Sequence, residues 1–176
     1  TTNPDNPITG EVWYNETDNV LKFQHPNTTS AGSWATSLTM NTARRRLAGA
    51  GSYTAALATG GESPSGYLGI NESFNGSSWT EVADLNTSRS YSAADGTQTS
   101  TLFFGGSNPN IPGVTGKTES WDGTSWTETG DLNTARNTLA GAGASNTGGL
   151  AFSGAPSDAT EEFSSPTTST VTFTVS

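Results

Sequence analysis

The chain has 176 residues, of which 31% are hydrophobic and 13% charged, with a net charge of −9, 5 Trp, 7 Phe, 4 Tyr, 21 Gly, one His and no Cys. So many large rings with so little charge exclude a disordered chain, the acidic balance excludes nucleic-acid binding through a basic face, and the lack of cysteine excludes disulfides. No apolar run nears the ~20 residues of a membrane-spanning helix, so no membrane insertion is expected, and the length suffices for one domain with a core.

Residues 1–37 form a lead and a partial unit. The chain opens on Thr1 rather than Met, which points to processing or to a longer protein. "PDNPITGE" is turn-rich. "VWY" and "VLKF" flank "NETDN" and predict a hairpin. His25 stands before Pro26 in a polar loop and reads as solvated. "GSWATSL" matches a tryptophan strand that recurs later, so Glu11 and Trp13 align with Glu72 and Phe74, and Trp34 aligns with Trp79.

From Leu38 onward the chain repeats with a period of about 46 residues, giving units 38–84, 85–131 and 132–176. The marks recur in order. A polar turn carries Arg44, Arg89 and Arg136. A strand then ends at Gly60–Gly61, Gly105–Gly106 or, more weakly, Ser153–Gly154. Glu72, Glu119 and Glu161 each stand two residues before Phe74, Trp121 and Phe163. Trp79 and Trp126 follow, with no counterpart in the third unit. Each unit predicts four short strands: the small-residue "RLAGAG" type, "AALAT/TLFF/GLAF", "NESF/TESW/TEEF", and the tryptophan strand after an Asn-Gly or Asp-Gly hairpin turn. The third unit ends in the alternating "STVTFTVS".

This order of marks resembles the kelch repeat, over roughly Leu38 to Ser176. The resemblance implies an all-β fold of kelch-like β-propeller blades, about three of four strands plus an N-terminal partial blade. The phrases "GEVWYNETDNVLKF", "LNTAR" with "AGAG", and "ESWDGTSWT" are also similar to kelch-like virion structural proteins of marine bacteriophages. Propellers have about four to eight blades, so three and a part do not close. An open arc leaves two apolar end faces, and large exposed patches are rare in monomers. A ring or arc completed by self-association is therefore expected.

The candidate chemistry is sparse. Three arginines from successive blades suggest an anion clamp, but their equivalent positions read as repeat anchors that join one blade to the next, pairing with Glu72, Glu119 or Glu161. "SWDGTSW" suggests an Asp-box, yet adjacent Asp122 and Gly123 are explained by a hairpin turn. One His and no Cys cannot furnish a zinc or copper site, and calcium near Asp5 or Asp158 has no ligand spacing behind it, so no metal or cofactor is expected. Serines have no partner base, and Glu161–Glu162 point to opposite faces of a strand, so no catalytic residue is assigned. Trp79 and Trp126 read as core anchors. The loops outside the pattern are the better ligand candidates: "ESPSGYLGIN" with Tyr67, and "SNPNIPGVTGK" with Ile111 and Lys117. They should share a face with the "LNTAR" turns.

The expected function is a non-enzymatic structural or adhesion subunit of a phage virion appendage or surface decoration. It would be located on a virion or outside the cell. Its partners would be itself or other virion or filament subunits, with a host surface glycan as candidate ligand. The alternatives are a secreted bacterial carbohydrate-binding module or extracellular filament subunit, and, third, a glycoside-acting enzyme.

Overall fold

The computed structural model describes residues 12–15, 20–23, 32–108 and 113–166. Contacts divide the chain into Thr1–Ser37 and Leu38–Ser176. In the first part, β1 (Val12–Asn15) and β2 (Val20–Phe23) form the antiparallel hairpin expected from the sequence, with Val12 opposite Phe23 and Asn15 opposite Val20. Trp13 lies in β1, while Glu11, Asp5 and His25 lie outside the described residues. Where a tryptophan strand was predicted, residues 32–40 form no strand, and Trp34 is fully exposed. Among the described residues no strand pairs with this segment, so it has no ladder to hold it.

In the second part the chain is all-β, with no helix among the described residues. The first sheet contains β3 (Ala48–Ser52), β4 (Ala55–Thr59), β7 (Asn71–Phe74) and β8 (Trp79–Val82), hydrogen-bonded in that order. Within the loop after β4, β5 (Glu62–Ser63) and β6 (Gly66–Tyr67) make a small hairpin. The second sheet contains β9 (Ala93–Thr97), β10 (Ser100–Phe104), β11 (Thr118–Trp121) and β12 (Trp126–Glu128), again in chain order. The third has three described strands: β13 (Ala140–Ser145), β14 (Gly148–Phe152) and β15 (Thr160–Ser164). The alternating ending, residues 169–176, lies outside the described residues. The Asn-Gly and Asp-Gly turns close as read: Asn75 Oδ1 accepts the Ser77 and Ser78 N–H groups, and Asp122 Oδ1 accepts those of Thr124 and Ser125.

Alternation along the strands fixes which face meets which neighbour. In the second sheet, Ala94, Phe103, Trp121 and Trp126 point one way, and Ala93, Leu102 and Phe104 the other. The first set packs with Leu57 from the first unit and with Leu85, which opens the second. The second set packs with Leu139, Ala151, Leu132 and Phe163 toward the third sheet. This two-sided burial explains why "TLFF" is a continuous apolar run. Trp126 is the keystone of the first layer, with its ring 5.2 Å from Trp121 and edge-on to Phe103 at 6.2 Å.

Strand β9 packs against β3 on one side and β13 on the other. Their small residues are required by the approach: a Cβ on Gly141 would stand 2.6 Å from the Phe104 ring. Two backbone seams join successive sheets. Gly61 N–H donates to Arg89 C=O and Gly106 N–H to Arg136 C=O, both at 2.8 Å. Arg46, Tyr91 and Thr138, three non-glycine residues with φ near 55°, carry the other seam. Tyr91 N–H donates to Arg46 C=O at 3.1 Å, and Thr138 N–H to Tyr91 C=O at 2.8 Å.

Gly105 sits in a seam with φ 66°, and a Cβ there would meet Arg136 O at 2.8 Å and Leu139 Cδ2 at 3.0 Å. Gly105→Ala is expected to lower stability by roughly 2–3 kcal/mol, read from the midpoint of urea unfolding.

Candidate functional site

The "LNTAR" turns fold back on the sheets they enter. In each unit one carboxylate on the third strand gathers the turn. Glu72 accepts the Asn41 N–H at 2.7 Å and the Thr42 N–H at 3.2 Å, and pairs with Arg44. Glu119 accepts the Asn86 N–H and the Arg89 guanidinium, each at 2.8 Å. Glu161 accepts the Asn133 and Thr134 N–H groups and lies 3.3 Å from Arg136. Each guanidinium also donates to carbonyls of its own sheet: Ala58 for Arg44, Gly105 for Arg89, Ala151 for Arg136.

These arginine side chains therefore do not join one unit to the next, contrary to the sequence expectation. They bond within their own unit, and the backbone carbonyls of Arg89 and Arg136 make the link to the preceding double glycine. The side chains of all three are 0% exposed, so none can meet a solvent anion. Burial alone would raise the Glu72 carboxyl, but the Asn41 N–H, the Arg44 guanidinium and the Thr42 N–H hold it below the usual range. Burial likewise pushes Arg89 down from its ordinary value, with Glu119 opposing.

The turns do share a surface with the loops after the second strand. Arg45 bridges to Glu62, Ser90 to Ser107 and Asn137 to Ala155. Glu62 is the polar centre of this surface. It accepts from Arg45 Nε at 2.9 Å, from Arg46, and from Ser90 Oγ at 3.2 Å in the next unit. The Arg45 bond leads in holding its carboxyl low. Arg46 also lies over the Tyr91 ring, 4.3 Å from its centre. Tyr67, in β6 opposite Glu62, is half-buried. Lys117 is part-exposed, 3.4 Å from Glu128 and 3.8 Å from Asp131. Ile111 lies outside the described residues. No cluster of three or more potential metal ligands occurs among the described residues.

Two features escaped the sequence reading. Asp95, on β9, is 4% exposed and faces Gly143 and Gly149 of the third unit. Neither of its oxygens makes a hydrogen bond of good geometry, and burial pushes it up to about 6 against the pull of the Leu150 N–H. Its counterparts in the other units are Ala50 and Ala142, so a lone acid in a small-residue strand was the available signal. The second feature is a partly open pocket of about 380 Å³, solvent mouth included, between the second and third sheets. Leu102, Leu132, Ala151 and Phe163 line its apolar wall. The missing third-unit tryptophan was its signal.

Glu119→Ala strands a buried guanidinium and should cost about 3–5 kcal/mol in urea unfolding, with Glu119→Gln costing less because it keeps an acceptor. For Asp95, the folded pKa lies above the unfolded 3.8, at about 6. Between these values the folded state binds the extra proton, so this group's contribution to stability falls as pH rises from about 4 to about 6. Asp95→Asn is expected to remove a penalty of about 3 kcal/mol at pH 7.5 and to change little at pH 4, measured as the difference between wild-type and variant urea midpoints.

No protein-family model matches this chain, and no curated protein matches it, so the site is read from its own chemistry.

Proposed function

We propose that the chain is a non-enzymatic structural or adhesion subunit that assembles with itself, and that its sheets are kelch-like blades of a β-propeller. The blade reading is supported by recurrence: the same strand order, the same Arg–Glu anchor and the same two seams appear from sheet to sheet. The similarity of its phrases to kelch-like virion proteins of marine bacteriophages makes a virion appendage or surface decoration the proposed assembly. The loop face with Tyr67 and Lys117 is what such a subunit would offer to a host surface glycan.

One observation carries the self-assembly. Leu57 and Leu102 are 1% and 0% exposed because each faces the next sheet, whereas Leu150 at the same position is part-exposed, as is Phe152 beside it. The last sheet thus presents a face made like an internal interface, with nothing on it among the described residues. Burying such faces is the dominant favourable term in association. Light scattering across the micromolar range is expected to give twice the mass of one chain. A monodisperse monomer throughout that range would overturn the reading.

A further inference from the structure

Among the described residues the third sheet has no fourth strand and no tryptophan of the kind the other two have. Among the described residues β15 pairs only with β14, and beside its other edge lies the pocket described above. That pocket is the counterpart of the place Trp126 fills one layer earlier. Trp126 sits among Leu57, Leu85, Phe103 and Trp121. The corresponding residues one unit on are Leu102, Leu132, Ala151 and Phe163, the pocket's apolar wall.

The chain carries a segment of fitting sequence that pairs with no strand among the described residues. "GSWATS", residues 32–37, holds Trp34, fully exposed and in no strand. Trp34 precedes Arg44 by ten residues, as Trp79 precedes Arg89 and Trp126 precedes Arg136. In both internal cases this link runs from the outer strand of one sheet to the turn of the sheet packed against it. Whatever sheet receives Trp34 must therefore lie next to the first sheet. The chain's own third sheet does not, because β9 stands between β3 and β13. The ending offers no substitute ring at that place: five residues after Phe74 and Trp121 comes Trp79 or Trp126, but five after Phe163 comes Thr168.

From this geometry we infer that residues 32–37 of a second copy add to β15 as its fourth strand, with Trp34 in the pocket. The inference rests on the self-assembly proposed above and names its interface. The register follows from the internal sheets, where Phe74 faces Trp79 and Trp121 faces Trp126. Phe163 then faces Trp34, and Glu162 faces Ala35. The second copy's first sheet follows and covers Leu150 and Phe152. The backbone seams support the same join. Among the described residues, no carbonyl receives the Gly154 N–H or the Arg46 N–H, and no N–H reaches the Arg44 or Thr138 carbonyl. The internal seams match these groups in pairs: Gly154 N–H to Arg44 C=O, and Arg46 N–H to Thr138 C=O across the copies. The join is looser at one point, since Ser153 replaces Gly60 and Gly105 and carries the Cβ that the next arginine carbonyl crowds. Two copies of three sheets make six, the one multiple of three in the usual range of about four to eight blades. Both copies exchange the segment, so the ring closes with no free edge at either junction.

The chain has no cysteine, which makes crosslinking clean. Two full-length variants with different tags, Ala35→Cys and Glu162→Cys, are mixed and oxidised gently. A disulfide between the two tags is expected, while each variant alone gives none. Separately, Trp34→Ala should weaken dimerisation about 30-fold or more in light scattering, with the unfolding midpoint of its monomer unchanged. If the wild type dimerises but no mixed disulfide forms and Trp34→Ala associates normally, the strand exchange is wrong and self-assembly stands. That pattern is also what docking of the chain's own ending on β15 would give. A disulfide formed within a monomer that carries both Ala35→Cys and Glu162→Cys also overturns it. A wild type that stays monomeric overturns self-assembly itself.

Discussion

In every unit one carboxylate, set on the third strand, takes the two N–H groups or the amide of an entering turn and the guanidinium two or three residues further on. This bond set places the arginine backbone, and the arginine backbone places the seam to the preceding sheet. Buried ion pairs contribute little net stability compared with an apolar replacement, because desolvation offsets the attraction. Their contribution here is geometric. They fix the angle at which the chain leaves one sheet and enters the next, so that the Leu57 and Leu102 faces meet the aromatic faces of their neighbours. The sheets themselves are short and narrow, and none would be stable alone.

The same constraint explains where the sequence departs from its own pattern. Double glycine is kept at Gly60–Gly61 and Gly105–Gly106, where an arginine carbonyl from the next unit comes within 2.8 Å of the site of a Cβ. At Ser153 a side chain is present with the same left-handed backbone, and among the described residues no arginine carbonyl receives the neighbouring Gly154 N–H. Small residues persist in β3, β9 and β13, where strands of neighbouring sheets approach. Asp95 is the exception among them. It sits where the third unit has glycines at positions 143 and 149, and those glycines make room for the carboxylate. Its position couples the contact between the second and third sheets to protonation in mildly acidic solution, while the Glu72 carboxyl, held low by the Asn41 N–H and Arg44, and the Glu62 carboxyl, held low by Arg45, act in the opposite sense.

An open-ended repeat leaves its terminal groups unsatisfied in a predictable way: one apolar face, one strand edge, and donors and acceptors of two seams. Among the described residues the unmatched groups at the third sheet and at the first are of complementary kinds, which is what the proposed exchange of residues 32–37 uses. Complementary ends of this kind give head-to-tail contacts that close when the rotation per unit allows it.

The first three strands of each unit, the fourth of the first two and the anchor positions were legible in the sequence, because turn chemistry, alternation and glycine placement are local properties; the tryptophan strand read before the first unit was not formed. The pairing of Arg44, Arg89 and Arg136 with glutamates was legible too, since both partners recur in step. The direction of that tie was not, since position in the repeat does not say whether a side chain reaches its own sheet or the next. Nor was the burial of Asp95 visible, as it depends on what lies across the gap between two sheets. The vacant place of the missing tryptophan could be named from the sequence but given walls only by the structure, because a cavity belongs to several distant segments at once. Sequence determined the periodic parts of this protein; tertiary structure decided what those parts leave unfilled.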